Sequence, residues 1–192
     1  MRAGKGADME RRGLLVVLAC CLAFCAMLAL AGCGASGQTK DDRTDFIWFK
    51  ADMPDDCSVS SNASPATVGD VMFETPDGKI SITGEEKSAE EEARYRPTEY
   101  PDKYTAGDDV TIGKHTWKVV NFDLEKPSVM LYTDLGGDEV KCAYVTAYNL
   151  DTNSEVLTSF LESIEFSSDI DKAYEEARSE KIADFRSRNG LS

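Results

Sequence analysis

The chain has 192 residues, with 21 basic and 35 acidic side chains, one histidine and a formal net charge of −14. That balance excludes the clustered lysine and arginine on which nucleic-acid binding and adhesion to anionic lipid depend. Hydrophobic residues make up 42% of the chain, enough for a buried core in one ordinary domain.

The N-terminus is built for export. Arg2, Lys5, Arg11 and Arg12 outnumber Asp8 and Glu10, and an apolar run from Leu14 to Leu30 follows. The run is somewhat longer than the core of a usual signal peptide and just short of a membrane span. It closes on Leu30-Ala31-Gly32-Cys33. These residues resemble the lipobox of bacterial lipoprotein signals. The resemblance implies that residues 1–32 are a signal peptide and that Cys33 receives a diacylglyceryl group and becomes the new, fatty-acylated N-terminus. Two acyl chains make a stable anchor where one is marginal. The expected address is therefore the extracytoplasmic face of a membrane; an uncleaved single-pass anchor would give the same side. Cys20, Cys21 and Cys25 fall in the leader and behave as small hydrophobes. Processing removes four basic and two acidic residues, leaving 17 against 33 and a net charge of −16.

Residues 33–43 are small and polar and predict a flexible tether with a mean reach of about 17 Å. Phe46-Ile47-Trp48-Phe49 predicts a first strand, ended by Met53-Pro54-Asp55-Asp56-Cys57, and residues 58–69 read as irregular. Val71–Glu74 and Ile80–Thr83 flank Thr75-Pro76-Asp77-Gly78-Lys79. This predicts a hairpin in which proline presets φ and Gly78 adopts a left-handed conformation. Glu85–Arg94 predicts a short solvated helix, and Arg96–Asp109 a long surface loop.

Asp108–Ile112 is expected to pair with Thr116–Phe122 across Gly113-Lys114, and Val129–Tyr132 with Val140–Tyr148 across Leu135-Gly136-Gly137-Asp138. The last of these strands is apolar on both faces, which predicts a central place in the sheet. Thr152, three residues before Glu155, predicts a capping box on an amphipathic helix with Val156, Leu157, Phe160, Leu161 and Ile164 on its apolar stripe. Glu165-Phe166 closes as a short strand. Residues 169–188 predict one charged helix with Ile170, Tyr174, Ala177, Ile182 and Phe185 on a weak apolar side, which either packs or projects. The fold class is α+β: an antiparallel meander sheet with helices packed on it over residues 44–167, then an extra charged C-terminal helix within 168–192.

The sequence from 44 to about 167 resembles the PsbP-like superfamily. The matching features are the aromatic first strand leading to Met53-Pro54-Asp55, the Gly113-Lys114-His115-Thr116-Trp117 strand, and the closing element from Phe160 to Phe166 with Ser163-Ile164 inside it. The resemblance implies an antiparallel sheet with helices on its faces and no enzymatic activity; the segment after 168 departs from it.

Candidate chemistry is sparse. Cys57 and Cys142 survive processing, and a disulfide between them would close a loop of roughly 85 residues and stabilise by about 4–5 kcal/mol; two independent buried thiols are the alternative. Two cysteines and one histidine without close spacing do not make a zinc site, and no cofactor motif is present. His115 falls at a predicted surface turn, with no Gly-x-Ser-x-Gly or Ser-x-x-Lys to pair it with a nucleophile. The acidic pairs Asp55-Asp56, Asp108-Asp109 and Asp138-Glu139, and the run Glu90-Glu91-Glu92, read as solvated turn and helix residues. Asp134-Leu135-Gly136-Gly137-Asp138 is the best cation candidate, against an ordinary hairpin turn. Tyr95, Tyr100 and Tyr104, with Trp117, read as core or loop anchors, with a recognition surface as the alternative. The expected role is a non-enzymatic binding or accessory module of the cell envelope, held to the membrane by lipid, with a protein partner and no nucleic acid. A small hydrolase or a transporter-associated ligand binder is the alternative.

Replacing Cys33 with alanine in the full-length chain is expected to leave the precursor uncleaved and without the mass of the lipid. Mass spectrometry of membrane fractions checks this.

Overall fold

Alternation along a strand sorts side chains to two faces, and here both faces of one sheet are apolar. The computed structural model describes residues 43–60, 67–124 and 126–191. The expected signal peptide, Cys33, the tether up to residue 42, and residues 61–66 of the expected irregular stretch lie outside the described residues.

Among the described residues there are eleven strands and four helices. The strands before the first helix are β1 (Thr44–Asp45), β2 (Phe49–Ala51), β3 (Ser58–Val59), β4 (Val71–Glu74) and β5 (Lys79–Glu85). Helix α1 (Ala89–Glu99) leads to β6 (Tyr104–Ala106), β7 (Val110–Ile112), β8 (His115–Asp123), β9 (Pro127–Asp134) and β10 (Cys142–Tyr148). Then come α2 (Glu155–Ser163), β11 (Glu165–Phe166), α3 (Ile170–Ser179) and α4 (Ile182–Asn189). All strand pairs are antiparallel. The main sheet runs β3-β4-β5-β10-β9-β8-β6, with β7 also on β8, and a small sheet runs β1-β2-β11. The fold is thus α+β, and β10 lies mid-sheet, as its two apolar faces require. The three expected hairpins form.

Ala143, Val145 and Ala147 of β10 face the larger core, with Phe73, Ile80, Ile82 and Trp117. Helix α2 covers this face with Leu157, Phe160 and Leu161, and the small sheet adds Phe46, Trp48 and Phe49. The opposite face holds a smaller cluster of Val120, Phe122, Met130, Tyr132 and Cys142, covered by α1 through Ala89 and Ala93.

Several expectations need correction: Ser58–Val59, expected to be irregular, is β3 on β4, and Tyr104–Ala106, expected in a surface loop, is β6 on β8. The aromatic run is not one strand: Phe46-Ile47-Trp48 forms a tight turn between β1 and β2, with Ile47 at φ 71° and its N–H donated to Asp45 Oδ1 at 2.7 Å. The turn sends both Phe46 and Trp48 inward, each fully buried. Gly78 is needed for closeness rather than handedness. Its φ is not in the left-handed region, but an added Cβ would collide with the Tyr148 carbonyl oxygen.

Helix α1 begins later and ends later than its composition suggests. Glu85 pairs with Cys142 in the sheet, and Ser88 caps α1 in a reciprocal box with Glu91. Pro97 sits in the last turn, where Thr98 Oγ1 donates to the Arg94 carbonyl. The capping box expected at Thr152 is absent: Ser154 is the N-cap of α2, without a side-chain bond, and Asp151 instead turns the chain by accepting from Asn153 N.

The charged C-terminal segment is two helices, broken at Glu180-Lys181, and it packs. The break lets Thr67 pair with Lys181, while Val68 N donates to the Glu180 carbonyl and Gly69 N to that of Ala177. Ile170, Tyr174, Ala177, Ile182 and Phe185 all join the core. A boundary at 167 would cut through it.

Phe185 is fully buried and stacks on Phe46 at 4.8 Å. Phe185→Ala is therefore expected to cost about 3–5 kcal/mol, read by urea denaturation. A helix that merely projected from the domain would give almost no change.

Candidate functional site

The structure scatters the candidates proposed from sequence. Cys57 and Cys142 are both free thiols, and the ladder keeps them apart. Ser58 is opposite Glu74, Glu74 opposite Lys79, and Lys79 opposite Tyr148. Three strand spacings, roughly 14 Å, and the length of β10 from Tyr148 back to Cys142, roughly 20 Å, separate the two positions. A disulfide needs Cα atoms within about 7 Å. Burial, reinforced by Glu85, Glu92 and Asp134, pushes the Cys142 thiol up to about 12, so it is an inert core group.

His115 is a strand residue rather than a turn residue, with Nε2 buried. Trp117 is fully buried in the larger core and does not share a surface with Tyr104, which packs under the other face with Phe122. Tyr95 and Tyr100 remain exposed at 45% and 47%.

The acidic residues divide by role. Asp109 and Glu90 both hold Lys118 Nζ, at 2.9 and 3.0 Å, tying α1 to the segment before β7 and raising the Lys118 pKa through those hydrogen bonds. The Asp134–Asp138 loop is a brace. Asp134 Oδ1 accepts from Ala89 N at 2.8 Å, at the start of α1. The far end of the loop is gripped by Asp171 of α3: Oδ2 accepts from Asp138 N at 2.9 Å, and Oδ1 from Glu139 N at 3.1 Å and Val140 N at 2.8 Å. These backbone bonds, Val140 and Asp138 foremost, hold the Asp171 carboxyl below the usual aspartate range. Gly137 makes the close approach possible, because a Cβ there would meet Asp171 Oδ1 at 2.5 Å.

A cleft of about 460 Å³ opens where β5 ends, between α1, the β9–β10 loop and α3. Asp70, Glu85, Glu86, Glu92, Glu139, Asp171 and Glu175 line it, against Lys87 and Arg178. Its wall is the Tyr174 hydroxyl, which accepts from Gly84 N at 3.0 Å and lies 3.2 Å from both Asp70 Oδ1 and the Gly84 carbonyl. Asp70 Oδ1 also accepts from Thr83 Oγ1. Burial, then the charges of Glu92 and Asp70, raise the Glu85 pKa. A cleft of this character concentrates negative potential and attracts cationic groups. Sequence reasoning missed Asp70, Asp171 and Tyr174; the Asp171 to Tyr174 spacing, one turn apart beside Ile170, was the available signal.

Two smaller concavities, of about 400 Å³ beside α1 and 320 Å³ beside α2, have mixed linings. Among the described residues no group of three or more His, Cys, Asp or Glu is placed to hold a metal ion. Nor is any described helix long and apolar enough to cross a membrane.

No family model matches the chain, and no curated protein matches it. A crystal structure from Bacteroides thetaiotaomicron VPI-5482 shares 17% identity at a TM-score of 0.41, covering 63% of this chain and 46% of that one. The chain thus spans less than half the length of that neighbour.

Two carboxylates should answer to pH with opposite sign. Asp171 is more acidic in the fold, so its stabilisation is complete above the ordinary aspartate value and fades as pH falls through its depressed folded value. Asp171→Ala should lower Tm at pH 7 and do so less in acid. Glu85 is less acidic in the fold, so its ionised form is a penalty above its raised folded value that disappears towards the ordinary glutamate value of about 4.3. Glu85→Gln should raise Tm at pH 7 and lose that gain near pH 4. Thermal melts of both variants across pH check the two signs.

Proposed function

We propose that this chain is a lipid-anchored protein of the extracytoplasmic face of a bacterial envelope, and that its folded domain is a non-enzymatic binding or accessory module. One observation carries the address: a basic leader, an apolar run and Leu30-Ala31-Gly32-Cys33 stand in that order on the same chain as an acidic domain. A diacylated cysteine would supply the membrane affinity that an acidic surface lacks.

The PsbP-like reading of the fold belongs to this proposal. In its favour are the mid-sheet β10, the Gly113 turn into β8, and α2 running directly into β11 over Phe160 to Phe166. Helices α3 and α4, with their core side chains, depart from it.

For the binding role, the acidic cleft at the end of β5 suits a partner that presents lysine or arginine, by charge complementarity. Glu86, Glu139 and Glu175 are exposed at its rim. Crosslinking in intact membranes with the full-length chain is expected to capture an envelope protein in a salt-sensitive manner. Glu86→Lys, Glu139→Lys and Glu175→Lys together should lower that capture at least severalfold while the variant stays membrane-bound. Equal capture by the variant would overturn the cleft as the contact; release of the wild-type chain from membranes by high salt or carbonate would overturn the lipid anchor.

A further inference from the structure

The only histidine sits where the two sheets meet. His115 begins β8 on the side of the larger core, and its ring stands edge-on to Phe166 of β11 at 5.0 Å and to Trp117 at 6.1 Å between centroids. Its Nε2 is buried without a hydrogen-bond partner, as is Nε1 of the fully buried Trp117. A neutral imidazole can present a lone pair there at modest cost. A protonated ring must donate from both nitrogens, and a buried donor without an acceptor is far more costly when charged.

Phe166 belongs to the small sheet, paired opposite Phe49 of β2, and β2 in turn pairs with β1, the strand nearest the expected tether. We propose that protonation of His115 loosens the small sheet from β8, so that attachment of the tether-proximal strands to the main sheet is sensitive to mild acid.

The surroundings support the sign. Burial disfavours the charged ring most, Lys114 adds repulsion, and the Ile164 backbone at the carboxyl end of α2 opposes them, with a net lowering of the pKa. From α2, Glu162 is the near charge, its backbone against Gly113. From β11 it is Glu165, held by Arg43 at 2.8 Å and standing opposite Lys50. Strand β7 presents Ile112 opposite His115, and its flanking Asp109 is engaged with Lys118. A detached ring takes up its proton near the ordinary value of about 6.5, before the packed ring does. The packed state therefore loses ground as pH falls below that value, and stops losing it below the packed ring's own pKa.

Hydrogen exchange of the β2 and β11 amides, corrected for intrinsic rates, tests this on the full-length chain in detergent micelles between pH 7.5 and 5. The reporting amides are Ser167, whose N–H is donated to the Trp48 carbonyl at 2.9 Å, and the paired Lys50 and Glu165. In the wild type their protection should fall by up to about tenfold per pH unit within the window, while β9 and β10 hold theirs. His115→Phe and His115→Gln should flatten that response. The wild-type ring, followed by NMR, should titrate below the ordinary histidine value, a measurement that needs no variant. A ring titrating at or above that value, or a folded variant that keeps the wild-type pH response, would overturn the proposal.

Discussion

The structure depends on one aromatic knot at the turn between β1 and β2. Phe46 stacks on Phe49 at 4.4 Å and on Phe185 at 4.8 Å, and meets Phe73 edge-on at 5.5 Å. Trp48 meets Tyr174 at 5.0 Å, and its indole N–H is donated to the Val68 carbonyl at 3.1 Å. Small sheet, main sheet and both C-terminal helices are thereby joined through two side chains. Placing a β-branched residue, Ile47, in the left-handed region costs roughly 1–2 kcal/mol. Full burial of a phenylalanine and a tryptophan contributes about 3 kcal/mol or more each, so the strained turn is held in place by what it buries.

Against that apolar centre, the acidic surface is less uniform than a net charge suggests. Asp134 and Asp171 are spent on backbone N–H groups, Asp70 on hydroxyls, and Glu91 on its own helix start. All four tie down loops or caps, and for Asp171 and Glu91 the backbone donors favour the ionised form. What remains at the cleft rim is a surplus of charge with no such internal duty, and Glu85 lies where that surplus and burial combine.

Much of the main sheet was legible in the chain. Its hairpins are marked by Pro76-Asp77-Gly78, Gly113-Lys114 and Gly136-Gly137, and β10 announces its central place by being apolar on both sides. The stripe of α2 was equally plain. Other features were hidden for physical reasons. Four consecutive aromatic and branched residues suit a strand, yet an inward turn buries more of them. Ser88 outranks the Glu-rich stretch before it because a cap satisfies donors that composition ignores. The apolar side of residues 169–188 looked weak because the break at Glu180-Lys181 rotates two short stripes onto one core, which no single helical period can reveal. Beyond the Asp171 to Tyr174 spacing, the acidic cleft was illegible because Asp70, Glu85 and Asp171 meet only through long-range topology.

The two borders of the main sheet have a colloidal consequence. One ends in β3, two residues long, and the other is split into β6 and β7, which share β8 but are separated by Gly107-Asp108-Asp109. Among the described residues neither rim offers an uninterrupted ladder for a stranger's backbone to extend, and Asp108 adds charge of the same sign as a second molecule. Zipping of crowded copies into fibrils through these described borders is thereby disfavoured.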